Sequence, residues 1–393
     1  MTSPQVWFHS CVALTYVVDA FLVSVLVLLC WRAVCRGGGW GDALGIGMAV
    51  AVIGGVRQQT VPVLLPLLAV TFWKFRAARL GKLGVAALTA SVLGLAWFVP
   101  MVRLSGGWAV YWEIVRRHAA LNASVSALGG GGAALAQNAS WVGMFCLNGL
   151  MLGAVLLAAA LLYRVAGLEA GRKQAWDREH ASALSLLAAW IVSGILFGVI
   201  GVTNQPGYVL TYLPGLLLLA AVAAARLKKP AAYAGVAAAV CLVNAGTFLS
   251  WPQRWDGFFW GAGRTARVIR EHDAELERLA ALIRDRYAPS QAFLCHCGEH
   301  FYLGFREFEV CLPGYEQYEM VDDPTMLTPP GKPRMRLRDG KLGFVSGIGT
   351  DAPPVAVLVV PPGWRLSRFR RFLDVSKARE VDGSEGMLYT CPR

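Results

Sequence analysis

Long apolar runs, separated by polar turns and basic clusters, decide most of what this chain can fold into. They read Val6–Trp31, Ala43–Val56, Val61–Trp73, Val85–Met101, Trp141–Tyr163, Ala183–Ile200, Val209–Ala225 and Ala231–Leu249. A helix needs about 20 predominantly apolar residues to cross the hydrocarbon core of a bilayer. Lipid offers no partner for backbone N–H and C=O groups, so spans of this kind must be helical. The second and third runs are short, which calls for tilt, re-entry or shielding by neighbours. Of the 393 residues 56% are hydrophobic and 16% charged, with a mean hydropathy of +0.48. The expected fold is therefore an α-helical polytopic membrane protein of about eight spans. It covers residues 1–250, and residues 251–393 follow as a small α/β domain.

Basic residues set the expected orientation. Arg32 and Arg36 follow the first run, Lys74, Arg76, Arg79 and Lys82 the third, and Arg164, Arg172, Lys173 and Arg178 the fifth. Arg226, Lys228 and Lys229 follow the seventh, while the opposite short loops hold only Arg57, Arg103, Arg116 and Arg117. The rich face is expected to be cytoplasmic, in a multi-pass protein of the cell (inner) membrane. The poor face and everything after Trp251 are then periplasmic or extracytoplasmic. The net charge of +12 is spent on these flanks and does not point to nucleic acid. This topology puts the N-terminus outside with no basic flank, and the expectation drawn from it is a chain that starts late, short of an odd number of upstream spans.

The chemically loaded residues gather on the poor face. Asn204 and Gln205, followed by Pro206-Gly207 and Tyr208, make a polar reversal between two apolar runs. Arg57 is the only charge in the tight Arg57-Gln58-Gln59 turn. From Tyr111 to Leu121 the pattern is an amphipathic helix carrying Glu113, Arg116, Arg117 and His118, suited to a membrane interface. The Gly129–Gly132 run reads as a flexible link. Arginine offers phosphate a planar fork of donors, so Arg57, Arg103, Arg116 and Arg117, with Gln58 and Gln59, are the candidates for a lipid phosphate. Asn204, Gln205 and Tyr208 are the candidates for facing the substrate. Asp19 lies within the first run, where an ionisable group is costly and faces a cavity or a partner helix. Asp19 and Glu113 are the weak candidates for a catalytic carboxylate.

Some chemistry is set aside. Cys295-His296-Cys297-Gly298-Glu299-His300 lacks the second ligand pair of a zinc framework. A disulfide from Cys295 or Cys297 to Cys311 or Cys391 is the better expectation in an oxidising compartment, and no metal or other cofactor is expected. Asn122-Ala-Ser and Asn138-Ala-Ser match the glycosylation pattern, with no sign of a eukaryotic secretory route. A Walker loop, a dinucleotide fingerprint and a Gly-x-Ser-x-Gly elbow do not occur. In the C-terminal part, Arg264–Arg286 has amphipathic helical spacing, Ala292–Cys295, Val355–Val360 and Gly386–Thr390 read as strands, and Leu366–Leu373 as helical. The stretch between the first two strands reads as irregular.

Gly54-Gly55-Val56-Arg57-Gln58-Gln59, Trp97-Phe98-Val99-Pro100 with Ser105-Gly106-Gly107, and Gln205-Pro206-Gly207-Tyr208 leading into Leu213-Pro214 resemble the bacterial GT-C membrane glycosyltransferases. Within that group the resemblance is to family 39, protein O-mannosyltransferase and aminoarabinose-transferase-like proteins, and it covers much of Pro4–Leu249. It implies a hexosyltransferase that uses a polyprenyl-phosphate-linked sugar at the outer face and passes it to a lipid, glycan or protein. The family's catalytic acidic residue lies in a first outer loop to which nothing here corresponds, so the chain as written is expected not to transfer sugar. The alternative from another class is a non-catalytic transporter or lipid-binding membrane component.

Overall fold

The structure is a computed structural model that describes residues 15–74, 79–123, 126–165, 178–201, 206–224, 230–250, 266–297, 308, 310–320, 333–338, 341–344, 348–360, 366, 369 and 373–392. The chain divides into two compact units, Met1–Arg267 and Val268–Arg393.

The first unit is helical: α1 (Thr15–Cys35), α2 (Trp40–Val56), α3 (Thr60–Lys74), α4 (Arg79–Leu104), α5 (Trp108–Ala123), α6 (Ala127–Leu150), α7 (Leu152–Val165), α8 (Arg178–Ile200), a 3-10 turn at Pro206–Thr211, α9 (Leu213–Ala224) and α10 (Pro230–Ser250). Among the described residues α1, α4 and the Ala181–Ile200 part of α8 are long and apolar enough to cross a membrane. Helices α2, α3, α9 and α10 contribute shorter apolar stretches. Their shared core is Val23, Leu26 and Cys30 of α1 against Ile46 and Ile53 of α2, Leu64 and Leu67 of α3, and Leu186 and Trp190 of α8.

Three local readings change. The run Trp141–Tyr163 is not one straight helix: α6 and α7 meet at Met151, in positive φ, and bend by 108°. The Gly129–Gly132 link lies inside α6, where Gly131 at φ 64° interrupts the helical dihedrals. Only glycine takes that conformation without a Cβ penalty, so the tetrad marks a kink. The stretch between the fourth and fifth apolar runs, residues 102–140, is helical well beyond the expected Tyr111–Leu121, forming α5 and the start of α6.

The second unit packs α11 (Ala266–Arg286) on a seven-stranded sheet: β1 (Ala292–Cys297), β2 (Gln317–Met320), β3 (Pro333–Arg338), β4 (Lys341–Phe344), β5 (Val355–Val359), β6 (Arg379–Glu380) and β7 (Leu388–Pro392). The order is β4-β3-β2-β1-β5-β7-β6, with β2, β1 and β5 parallel and the outer pairs antiparallel. Leu276, Leu279, Ala280 and Ile283 of α11 cover the sheet face of Leu294 and Val357. Phe369 and Leu373 cover the opposite face, that of Phe293, Cys295 and Leu358. Burial on both faces explains why β1 and β5 read as continuous apolar runs. The expected irregular stretch in fact contains β2, β3 and β4, whose polar residues hide the strand pattern. Of Leu366–Leu373, only Leu366, Phe369 and Leu373 are among the described residues.

The expected disulfide is absent among the described residues: Cys295, Cys311 and Cys391 are not disulfide-bonded. Cys295 pairs with Leu358, and Cys391 with Ala356, so β5 lies between them. Two strand spacings, about 9.6 Å, exceed the Cα separation of about 7 Å that a disulfide can span.

Candidate functional site

The centre of the first unit's polar chemistry is a buried pair, Asp19 and Arg57. Arg57 ends α2: its N–H donates to the Ile53 carbonyl at 2.7 Å while its own φ of −149° leaves the helix. The Thr60 N–H then donates to the Arg57 carbonyl at 3.0 Å, closing Arg57-Gln58-Gln59-Thr60 into a tight turn that opens α3. Gly54 and Gly55 let this end of α2 lie under the Trp97 ring of α4, whose Nε1 donates to the Ala51 carbonyl at 3.1 Å.

Asp19, one turn along α1 from Tyr16, is fully enclosed. Thr60 Oγ1 donates to its Oδ2 at 2.8 Å, and Arg57 Nη1 stands 3.9 Å from the same oxygen. Removing two charges from water costs several kcal/mol each even after relaxation, and a close opposite charge is what makes this tolerable. The guanidinium also lies over two aromatic faces, 4.4 Å from the Tyr16 ring centroid and 4.9 Å from that of Tyr208. The two rings meet edge to face at 5.8 Å. Cation–π contacts run from about 0.5–1 kcal/mol at exposed sites to about 2 kcal/mol when desolvated. Satisfaction is nevertheless incomplete. Among the described residues Asp19 Oδ1 and Arg57 Nη1 have no hydrogen-bond partner, and buried polar atoms are rarely left that way without a reason.

Tyr208 is delivered by the 3-10 turn. Trp190 Nε1 of α8 donates to the Thr211 carbonyl at 2.8 Å, and Thr211 Oγ1 donates to the Tyr208 carbonyl at 3.0 Å. Gly207 has no room for a Cβ, which would fall 2.5 Å from Tyr16 ring atoms. Gly194 of α8 is likewise filled by the Tyr212 ring. Beside Arg57 these elements leave an open pocket lined by the polar Gln59, Thr60, Tyr208 and Thr211 and by the apolar Val63 and Phe197. No carboxylate lines it among the described residues.

The candidates thus divide. Asp19, Arg57, Gln59 and Tyr208 come together. Gln58 turns away from the pocket: it accepts from Tyr111 Oη at 2.9 Å and donates to Met101 Sδ at 3.4 Å, tying the turn to α4 and α5. Arg116 and Glu113 satisfy each other at 2.6 Å on the surface of α5, and Arg103 is exposed at the end of α4. None of Arg103, Glu113 and Arg116 lines the pocket. Asn204 and Gln205, and the side chains of Arg117 and His118, lie outside the described residues. Sequence reasoning passed over Thr60, whose hydroxyl holds Asp19, and over Thr211, Tyr212 and Gly194. The available signal was a small residue on α8 four positions after Trp190, a spacing that places both on one helix face. Among the described residues no cluster of His, Cys, Asp and Glu could hold a metal ion. Of the two asparagines in the sequon matches set aside above, Asn138 is buried and donates to the carbonyls of Val199 at 3.4 Å and Gly201 at 2.8 Å. Comparison with protein-family models, with curated proteins and with solved structures found no match for this chain.

Proposed function

We propose that the chain is a multi-pass membrane protein of the glycosyltransferase type. On this reading it binds a polyprenyl-phosphate-linked sugar at the Arg57 pocket, with the isoprenoid tail among the helices. The membrane reading rests on the length and apolarity of α1, α4 and α8 and on their outward apolar side chains, such as Phe21, Leu88 and Val92. The bent α6–α7 pair and the shorter helices bring the proposed count to the eight spans read from the sequence. The basic loops support an orientation with the pocket and the C-terminal unit on the outer side of the inner membrane.

The observation that carries the proposal is the state of Arg57. Its guanidinium packs in the corner between the Tyr16 and Tyr208 rings beside a pocket, and its Nη1, 3.9 Å from Asp19 Oδ2, makes no hydrogen bond among the described residues. A phosphodiester oxygen suits that donor, since charge-assisted bonds to a guanidinium are about twice as strong as neutral ones. The pocket joins this donor to apolar Val63 and Phe197, as an amphiphilic ligand requires.

Glycosyl transfer needs a carboxylate to take or orient the acceptor's proton. Asp19 is enclosed behind Arg57 and Glu113 is paired with Arg116. The chain as written is therefore assigned binding without transfer. The absence of a carboxylate among the described pocket residues also favours the second reading, a lipid-binding or transport component.

The test uses purified protein in phosphatidylcholine nanodiscs with a polyprenyl-phosphoryl hexose as probe. Wild type should bind, Arg57→Lys should bind more weakly through loss of the planar fork, and Arg57→Gln should not bind. Binding by Arg57→Gln at wild-type strength removes the pocket from the proposal. Radiolabelled hexose should not pass to membrane acceptors; donor-dependent transfer would return Asp19 or Glu113 to a catalytic role.

A further inference from the structure

Building on the binding site proposed above, we infer that Asp19 takes up one proton when an anionic head group binds Arg57, so that binding at this site is proton-coupled. The argument is one of charge balance in a closed space. In the empty site one guanidinium faces one carboxylate at 3.9 Å, and the pair is neutral. A phosphodiester brings one further negative charge to Arg57, leaving the enclosed group at a net charge of −1. Uncompensated charge is what a buried site tolerates least.

Three responses could restore balance, and the geometry favours one. Asp19 is fully enclosed, and Thr60 Oγ1 holds its Oδ2 at 2.8 Å, so its carboxyl stays in place. A second cation is the next possibility. The elements packed on α1 carry Asp42 and Arg57 on α2, Lys74 on α3, Arg178, Glu179 and His180 on α8, and Tyr208 on the 3-10 turn. α1 itself adds Tyr16, Cys30, Arg32 and Cys35. Asp42 pairs with Arg32 at 3.4 Å, about 22 Å along α2 from Arg57 at 1.5 Å per residue. Lys74 closes the far end of α3 and donates to Ser182 at 3.2 Å. Arg178, Glu179 and His180 open α8, about 21 Å from Gly194 on the same rise. Tyr16 and Tyr208 present ring faces to the guanidinium. None of these supplies a positive charge at the pocket. Protonation remains: Oδ1 has no hydrogen-bond partner among the described residues, so a proton there displaces no existing bond.

The step is a simple addition. Solvent or buffer gives up the proton, the new O–H bond forms at Oδ1, and Asp19 becomes a neutral acid still accepting from Thr60. Arg57 is then released from its carboxylate to serve the phosphate alone. The sign follows from linkage: the protonated site binds the anion more tightly, so affinity is full at low pH. It falls by up to about tenfold per unit as pH rises through the range in which the empty site gives up its proton.

The experiment is titration calorimetry of the full chain in phosphatidylcholine nanodiscs with a polyprenyl-phosphoryl hexose, whose phosphodiester charge is constant across the range used. It is run in two non-phosphate buffers of contrasting ionisation enthalpy. The dependence of measured heat on buffer enthalpy should report uptake of about one proton by wild type, and none by Asp19→Asn, whose affinity should not vary with pH. If wild type takes up no proton at any pH while Arg57→Gln still abolishes binding, the coupling is wrong and the binding site stands. If Arg57→Gln binds as wild type does, the coupling falls together with the site on which it rests.

Discussion

Replacing Gly207 by alanine tests the assembly around Arg57 without touching a charge. An ideal Cβ at Gly207 falls 2.5 Å from Tyr16 Cδ2 and Cγ and 2.7 Å from Cε2. These are atoms of a ring body and not the end of a flexible chain, so the whole ring must shift. That ring is one of the two faces on which the Arg57 guanidinium lies, 4.4 Å from its centroid. Overpacking of this kind costs about 1–3 kcal/mol in stability. Losing one desolvated cation–π face removes about 1–2 kcal/mol from the preorganisation of Arg57, which is about five- to thirtyfold in ligand affinity. The reference is Gly94→Ala on α4, where a Cβ meets nothing within 4 Å and helix propensity favours alanine by about 0.5–1 kcal/mol. Denaturant midpoints in detergent and binding of a polyprenyl-phosphoryl hexose in nanodiscs are measured for both. If Gly207→Ala matches Gly94→Ala in both assays, Tyr16 does not pack on the 3-10 turn, and the aromatic corner that holds Arg57 at the phosphate site is wrong.

Asn138→Ala should destabilise the first unit by about 1–3 kcal/mol, because it strips the Val199 and Gly201 carbonyls of their side-chain donor. A wild-type midpoint would mean that those carbonyls find another partner. The orientation is checked by cysteine labelling in intact cells. An impermeant reagent should reach a cysteine placed at Asp351 and not one at Gly81, and the reverse pattern would invert the proposed topology.

The apolar runs, by length and composition alone, determined that the N-terminal part would be helical, because a segment this apolar must satisfy its backbone internally. They also located α2, α3 and α10 to within three residues at each end. Amphipathic spacing similarly located α11, and short apolar runs located β1, β5 and β7. What they could not reveal were breaks within uniformly apolar sequence, such as the 108° bend at Met151, since hydropathy is blind to dihedral angles. Nor could they reveal β2, β3 and β4, whose pairing is set by the neighbouring strand and not by their own residues. Arg57, Gln59, Tyr208 and Asp19 were each legible as chemically unusual, because a charge or amide beside an apolar run needs a physical reason. Their association was not. Asp19 and Thr60 lie 41 residues apart, and only the packing of α1 against α3 and the 3-10 turn closes that distance. The same packing sends Gln58 to Tyr111 and leaves Glu113 with Arg116, although in sequence they are as polar as the residues that reached the pocket. Which of two equally polar neighbours faces a cavity depends on helix rotation and on who fills the space behind a glycine, and those are decided by tertiary contact.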